Sequence, residues 1–232
     1  MKFTLLVGLI GLGFVGSLGA EEAAAPKPAP QSIFFLGDSI TKAGGYVKII
    51  KAELLKQNPA TQVYNFGHMS ETVSNLSEAY HPGRRPCALN WVDAVFAEKP
   101  NWVVACYGIN DAIYHPFNVK RFEAYMNGIQ TLSKKSNAAG SHLIILTPPP
   151  YGNPGPPFPA GTSAAAQEAL LAKANAEAEV EAEKDPKKFG YRSPYAYYDH
   201  VLAIYCKWLL TLDGKNGVSV VCLLYTSPSP RD

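Results

Sequence analysis

Two periodicities alternate along the chain. Short apolar runs, three of them running into a glycine, predict strands over residues 32–36 (Ser-Ile-Phe-Phe-Leu), 62–66, 102–107, 142–147 and 218–221. Between them apolar residues recur at helical spacing. Val47, Ile50 and Leu54 predict a helix over 46–56, and further helices are predicted near 72–79, 90–97, 119–133 and 194–212. Strands alternating with helices in this way argue for an α/β protein whose parallel sheet is covered on both faces. Residues 148–193 break the rhythm. A Pro/Gly-rich loop over 148–161 precedes an Ala/Glu-rich helix over 164–183, which reads as a solvated insertion because its Glu and Lys residues need no partner. Tyr151 and Phe158 on that loop are candidates for shaping a pocket.

A length of 232 residues suits one domain with a full core plus an extension. The net charge of +2, with no basic tract, argues against nucleic acid or an anionic membrane as partner. At the N-terminus, Lys2, the apolar stretch from Phe3 to Val15 and the small residues Ser17 and Gly19 read as a signal peptide over 1–20. That stretch is too short and too rich in glycine for a membrane span, so a secreted or periplasmic location without a span is expected after cleavage. Residues 21–31 read as a Pro-stiffened linker. Gly11, Gly13 and Gly16 match a dinucleotide-binding spacing, but no βαβ unit follows, so no cofactor is expected. No metal-ligand spacing is present either.

The chemistry begins at Gly37-Asp38-Ser39-Ile40-Thr41, directly after the first apolar run. A buried strand running into a tight turn lifts the Ser39 hydroxyl out of the sheet's carboxyl edge, where open α/β sheets bind ligands. Gly67 follows the second strand, and Tyr107-Gly108-Ile109-Asn110-Asp111 follows the third. In a parallel sheet these ends lie together. Backbone N–H groups at Ser39 and Gly67, with the side-chain amide of Asn110, can converge on the oxygen of an acyl-transfer intermediate. Asp38 reads as a turn-stabilising residue, and Asp111 as ordering the loop that holds Asn110.

In these three blocks the chain resembles the SGNH (GDSL-type) hydrolases over about residues 32–221. Gly37-Asp38-Ser39 is similar to the nucleophile block, Asn65-Phe66-Gly67 to the glycine block, and Gly108-Ile109-Asn110-Asp111 to the Gly-x-Asn-Asp block. Glu71-Thr72-Val73-Ser74 also looks like secreted bacterial relatives. The resemblance implies a three-layer α/β/α sandwich of flavodoxin-like kind. It also implies serine-dependent hydrolysis of a small-molecule or carbohydrate ester, often an acetyl ester, by Ser39, Gly67 and Asn110. The alternative is a catalytically inactive carbohydrate-binding protein of the same fold.

The family's Asp-x-x-His, expected on a loop after the last strand, occurs nowhere in the sequence. His68 follows the glycine block and is placed to line the site. His81 and His115 lie in proline-flanked loops expected to be solvated, His142 begins a strand, and His200 sits on a helix surface. None is placed as the catalytic base. The sequence from Cys222 to Asp232 looks like a translated sequencing adapter. The expectation is therefore a domain over 32–221, a non-native tail over 222–232, loss of the fold's last helix and catalytic loop, and little or no activity. With Cys222 set aside, Cys106 reads as a buried thiol, and a Cys87–Cys206 disulfide remains open.

Overall fold

The computed structural model describes residues 29–223. Five strands, β1 (Ser32–Gly37), β2 (Gln62–Gly67), β3 (Trp102–Cys106), β4 (His142–Leu146) and β5 (Val218–Val221), form one sheet in the order β2-β1-β3-β4-β5. Every pairing is parallel. This is the flavodoxin-like doubly wound order, whose ligands gather at the carboxyl ends of the strands. The central strands are apolar on both faces, as a sheet covered on both sides requires. Phe34, Leu36, Val103, Ala105, Leu143 and Ile145 face one layer of helices. Ile33, Phe35, Val104, Cys106 and Leu146 face the other, where Val47 packs.

The helices are α1 (Ser39–Ala43), α2 (Gly45–Gln57), α3 (Val92–Ala97), α4 (Val119–Ala139), α5 (Ala164–Lys184) and α6 (Tyr198–Leu210). α4 starts where the Asn118 side chain accepts the N–H groups of Lys120 and Arg121, a cap worth about 1 kcal/mol. It buries Tyr125, Ile129 and Leu132 in one stripe and stops at Gly140, whose φ of 73° suits glycine. It therefore runs beyond the 119–133 expected from sequence. α6 buries Tyr198, Val201, Leu202, Tyr205 and Leu209 against the same core. Burying each such side chain is worth about 1.5–3 kcal/mol, so this layer dominates the core.

Several expectations are corrected. Residues 72–79 are not helical. The N–H groups of Val73 and Ser74 both donate to the Asp111 carboxylate at 2.8 Å, and Asn75 takes a left-handed φ of 59°. α6 begins at Tyr198 rather than at 194, because the N–H of Tyr195 is drawn to the carbonyl of Tyr114 at 2.9 Å. α5 is mostly exposed, as expected of an insertion, but it is docked. Asn175 bonds both the N–H and the carbonyl of Phe117, and Glu179 pairs with Arg121 and accepts from Asn118. His115 is buried beside Phe189 rather than solvated, and burial pushes its imidazole down to about 4. The Cys87–Cys206 disulfide is not formed: the two thiols lie against the carbonyls of Val73 and Pro148 respectively. The expected signal peptide, residues 21–28 of the linker and residues 224–232 of the tail lie outside the described residues. Among the described residues, no helix is long and apolar enough to cross a membrane.

Candidate active site

The sheet register brings the three blocks together. Gly37 at the end of β1 is paired with Gly67 of β2 on one side and with Cys106 of β3 on the other. Ser39, Gly67 and the loop carrying Asn110 therefore leave three adjacent strands at one edge. Ser39 is half-buried and opens α1, so its N–H has no carbonyl partner within that helix. Asp38 caps the helix, accepting the N–H of Ile40 at 2.9 Å, which is the turn-stabilising role expected of it.

Gly67 holds α1 close. A Cβ there would lie 2.3 Å from the backbone nitrogen of Lys42 and 2.7 Å from the carbonyl carbon of Thr41. Its N–H donates to Asn65 Oδ1 at 2.9 Å, and Asn65 Nδ2 donates to the Thr41 carbonyl at 2.7 Å. Asn65 thus staples β2 to the helix that presents Ser39. In this state the Gly67 N–H is engaged by Asn65.

Asn110 is buried, and its Nδ2 donates to the backbone carbonyl of Glu71 at 3.2 Å, leaving a second N–H. Its Oδ1 accepts from the Tyr114 hydroxyl at 2.8 Å. Asp111 orders this region as expected, by tying residues 73 and 74 to the loop.

Sequence reasoning missed Glu71 as a hub. Its carboxylate is fully buried and accepts from Trp91 Nε1 at 2.6 Å and the Tyr107 hydroxyl at 2.7 Å. Nothing in the local sequence marks this, because both donors come from elements formed further along the chain. Burial pushes Glu71 up to about 7 against the pull of those two donors. Burial likewise lifts Asp38 to about 7 and raises Asp111, so the sheet edge gathers three carboxyls that resist ionisation. His68, expected to line the site, lies beside Glu71: its Nδ1 is 3.3 Å from Glu71 Oε1, and its ring meets Trp91 edge-on at 4.6 Å. Burial, then the Lys42 charge, lower its pKa. His68 and Glu71 form one end of a groove of about 870 Å³ whose walls include Phe34, Tyr64, Phe66 and Trp91. Tyr151 packs edge-on against Tyr114 near Asn110, whereas Phe158 turns away and stacks on Tyr197.

A doubly wound parallel sheet with serine, glycine and asparagine following three adjacent strands at its carboxyl edge defines a narrow class of α/β proteins. The model of the GDSL-like lipase/acylhydrolase family matches residues 35–185, and the chain belongs to that family of acylhydrolases and esterases. Among solved structures, a gut microbial diltiazem-metabolizing enzyme superposes with a TM-score of 0.57 at 14% identity. That alignment covers 86% of this chain but only 38% of the other, so the chain spans well under half the length of that enzyme. The acetylxylan esterase Axe2 from Geobacillus stearothermophilus aligns at 22% identity and a TM-score of 0.41, covering 81% of this chain and 96% of its own. A putative lipolytic protein of the G-D-S-L family from Desulfitobacterium hafniense DCB-2 aligns at 21% identity and a TM-score of 0.38, covering 66% and 73%. A search of curated proteins found no match.

Proposed function

We propose that this chain is a secreted serine ester hydrolase acting on small-molecule or carbohydrate esters, acetyl esters foremost. The observation that carries the reading is the register that gathers Ser39, Gly67 and Asn110 at one sheet edge. In the reaction, Ser39 Oγ attacks the ester carbonyl carbon, and the alcohol leaves as the acyl-enzyme forms. Water then attacks the acyl carbon and releases the acid, restoring Ser39. The oxygen that becomes negative in each step is met by the N–H of Ser39, the free N–H of Asn110 and the N–H of Gly67 once Asn65 releases it. No Asp-x-x-His is available to take the Ser39 proton, so turnover by this chain is expected to be slow. Export is part of the proposal and rests on Lys2, the apolar stretch after it and the small residues before residue 21.

The test is hydrolysis of 4-nitrophenyl acetate and of acetylated xylo-oligosaccharides by the wild type and by Ser39→Ala. A small rate that vanishes in Ser39→Ala supports the reading, and equal rates overturn it. Edman sequencing of the periplasmic product, expected to begin near residue 20 or 21, tests export. A second reading, a catalytically silent carbohydrate-binding protein, is favoured by the engaged Gly67 N–H. It predicts sugar affinity unchanged in Ser39→Ala and no turnover in either protein.

A further inference from the structure

The Asn110 amide can contribute to catalysis only if Nδ2, not Oδ1, faces the reacting oxygen. The structure contains a device that decides this. The Glu71 backbone carbonyl, 3.2 Å from Nδ2, can only accept, so a flipped amide would set two acceptors against each other there. With Nδ2 so assigned, Oδ1 must find a donor, and the group at 2.8 Å is the Tyr114 hydroxyl. Burial pushes the Tyr114 phenol upward, so it keeps its proton.

The phenol is itself held on every side. Its ring stacks on Tyr198 at 5.1 Å, meets Tyr151 edge-on and lies under the Arg85 guanidinium at 5.4 Å. The Tyr198 hydroxyl donates to the Ile109 carbonyl at 2.6 Å and accepts the N–H of Tyr114 at 3.2 Å, bridging both ends of the turn that contains Asn110. Within that turn, Ile113 and Tyr114 have φ of 46° and 61°. Two consecutive left-handed residues, one of them β-branched, are uncommon and persist only where the surroundings over-determine them. Here the strained turn aims the hydroxyl back at the amide four residues earlier.

We propose that Tyr114 is a positioning residue: its hydroxyl locks the Asn110 amide so that Nδ2 faces the oxyanion position beside Ser39. The proposal rests on the serine-hydrolase reading for its catalytic consequence and on the hydrogen-bond geometry alone for the amide lock.

The test is Tyr114→Phe, which keeps the ring and removes the donor. The first measurement is hydrogen exchange of the Asn110 side-chain NH₂ by ¹⁵N NMR, with that signal assigned by its loss in Asn110→Asp and exchange referenced to the backbone amides of β3. Loss of one hydrogen bond is expected to speed this exchange roughly tenfold with β3 unchanged. An unchanged side-chain rate, or equal acceleration in β3, overturns the lock. The second measurement is phosphonylation of Ser39 by a fluorescent alkyl fluorophosphonate. Here the Oγ–P bond forms as fluoride leaves, and the hydroxyl proton passes to buffer. Tyr114→Phe is expected to slow this step roughly tenfold and Asn110→Ala roughly a hundredfold. The double variant should be no slower than Asn110→Ala, because the hydroxyl acts only through that amide. Additive losses overturn the positioning role. Wild-type labelling no faster than Ser39→Ala overturns the serine-hydrolase reading instead, and the amide-exchange measurement then decides the lock independently.

Discussion

Adding one methyl group at Gly67 tests how closely the site depends on the seating of α1. The new Cβ would stand 2.3 Å from the Lys42 nitrogen and 2.8 Å from the Lys42 Cα. These are backbone atoms and cannot rotate away as a side-chain tip can, so α1 must retreat from β2 by about 1 Å to regain ordinary contact. Overpacking of this kind costs about 1–3 kcal/mol of stability. The retreat also stretches the 2.7 Å bond from Asn65 Nδ2 to the Thr41 carbonyl. The helix that moves is the one that begins with Ser39. A misplacement of about 1 Å at a reacting atom is worth about a hundredfold in rate. Gly67→Ala is therefore expected to lower stability by about 2 kcal/mol in urea melts and to slow Ser39 phosphonylation far more than that loss would suggest. Asn65→Ala, which loosens the same seating without a clash, should produce a smaller effect of the same kind. A Gly67→Ala protein with wild-type stability and wild-type labelling would refute the close approach of α1 and β2.

Three other outcomes follow from the buried charges and thiols. Asp38 is raised from 3.8 to about 7 on folding, so between these values the folded state binds a proton that the unfolded state has released. Stability should therefore fall as pH rises from about 4 to about 7, by up to about 1.4 kcal/mol per pH unit from this group. Asp38→Asn, which can still accept the Ile40 N–H, should flatten that slope in pH-stepped urea melts; an unchanged slope contradicts the assignment. Arg85 and Glu78 form a buried bidentate pair at 2.6 Å, so Arg85→Ala should cost about 3–5 kcal/mol, and Arg85→Met with Glu78→Leu should recover much of it. A single-variant loss below about 1 kcal/mol would contradict the pairing. Burial raises the Cys106 thiol strongly, so iodoacetamide should leave it unlabelled in the native protein and label it after unfolding, read by peptide mass spectrometry.

Much of this architecture was legible because its causes are local. The run Ile33-Phe34-Phe35-Leu36 is apolar on both faces because helices cover the sheet on both sides, and the central strands β3 and β4 follow the same logic. Ser39, Gly67 and Asn110 were legible because strand ends in a parallel sheet must share an edge. What escaped depends on partners distant in the chain. Residues 72–79 carry a helical spacing, but the N–H groups of Val73 and Ser74 answer to Asp111, nearly forty residues away. Glu71 looked like an ordinary acidic residue because Trp91 and Tyr107 reach it only once α3 and β3 are in place. His115 beside Pro116 looked like a loop residue at the surface, yet Phe189 from the 148–193 insertion covers it.

The docking of α5 has a dynamic consequence. Of its 21 residues only Ala178 is buried, and apart from Ala178 and Ala182 against the core its hold on the domain is a few polar clasps at Phe117, Asn118 and Arg121. Partly exposed clasps of this kind are each worth about 1 kcal/mol or less, well below the cost of opening the sheet. The helix should therefore behave as a separate foldon that detaches and returns many times for each global unfolding event. In native-state hydrogen exchange its amides would report their own low opening free energy, and limited proteolysis would cut within residues 148–193 while the sheet stays whole.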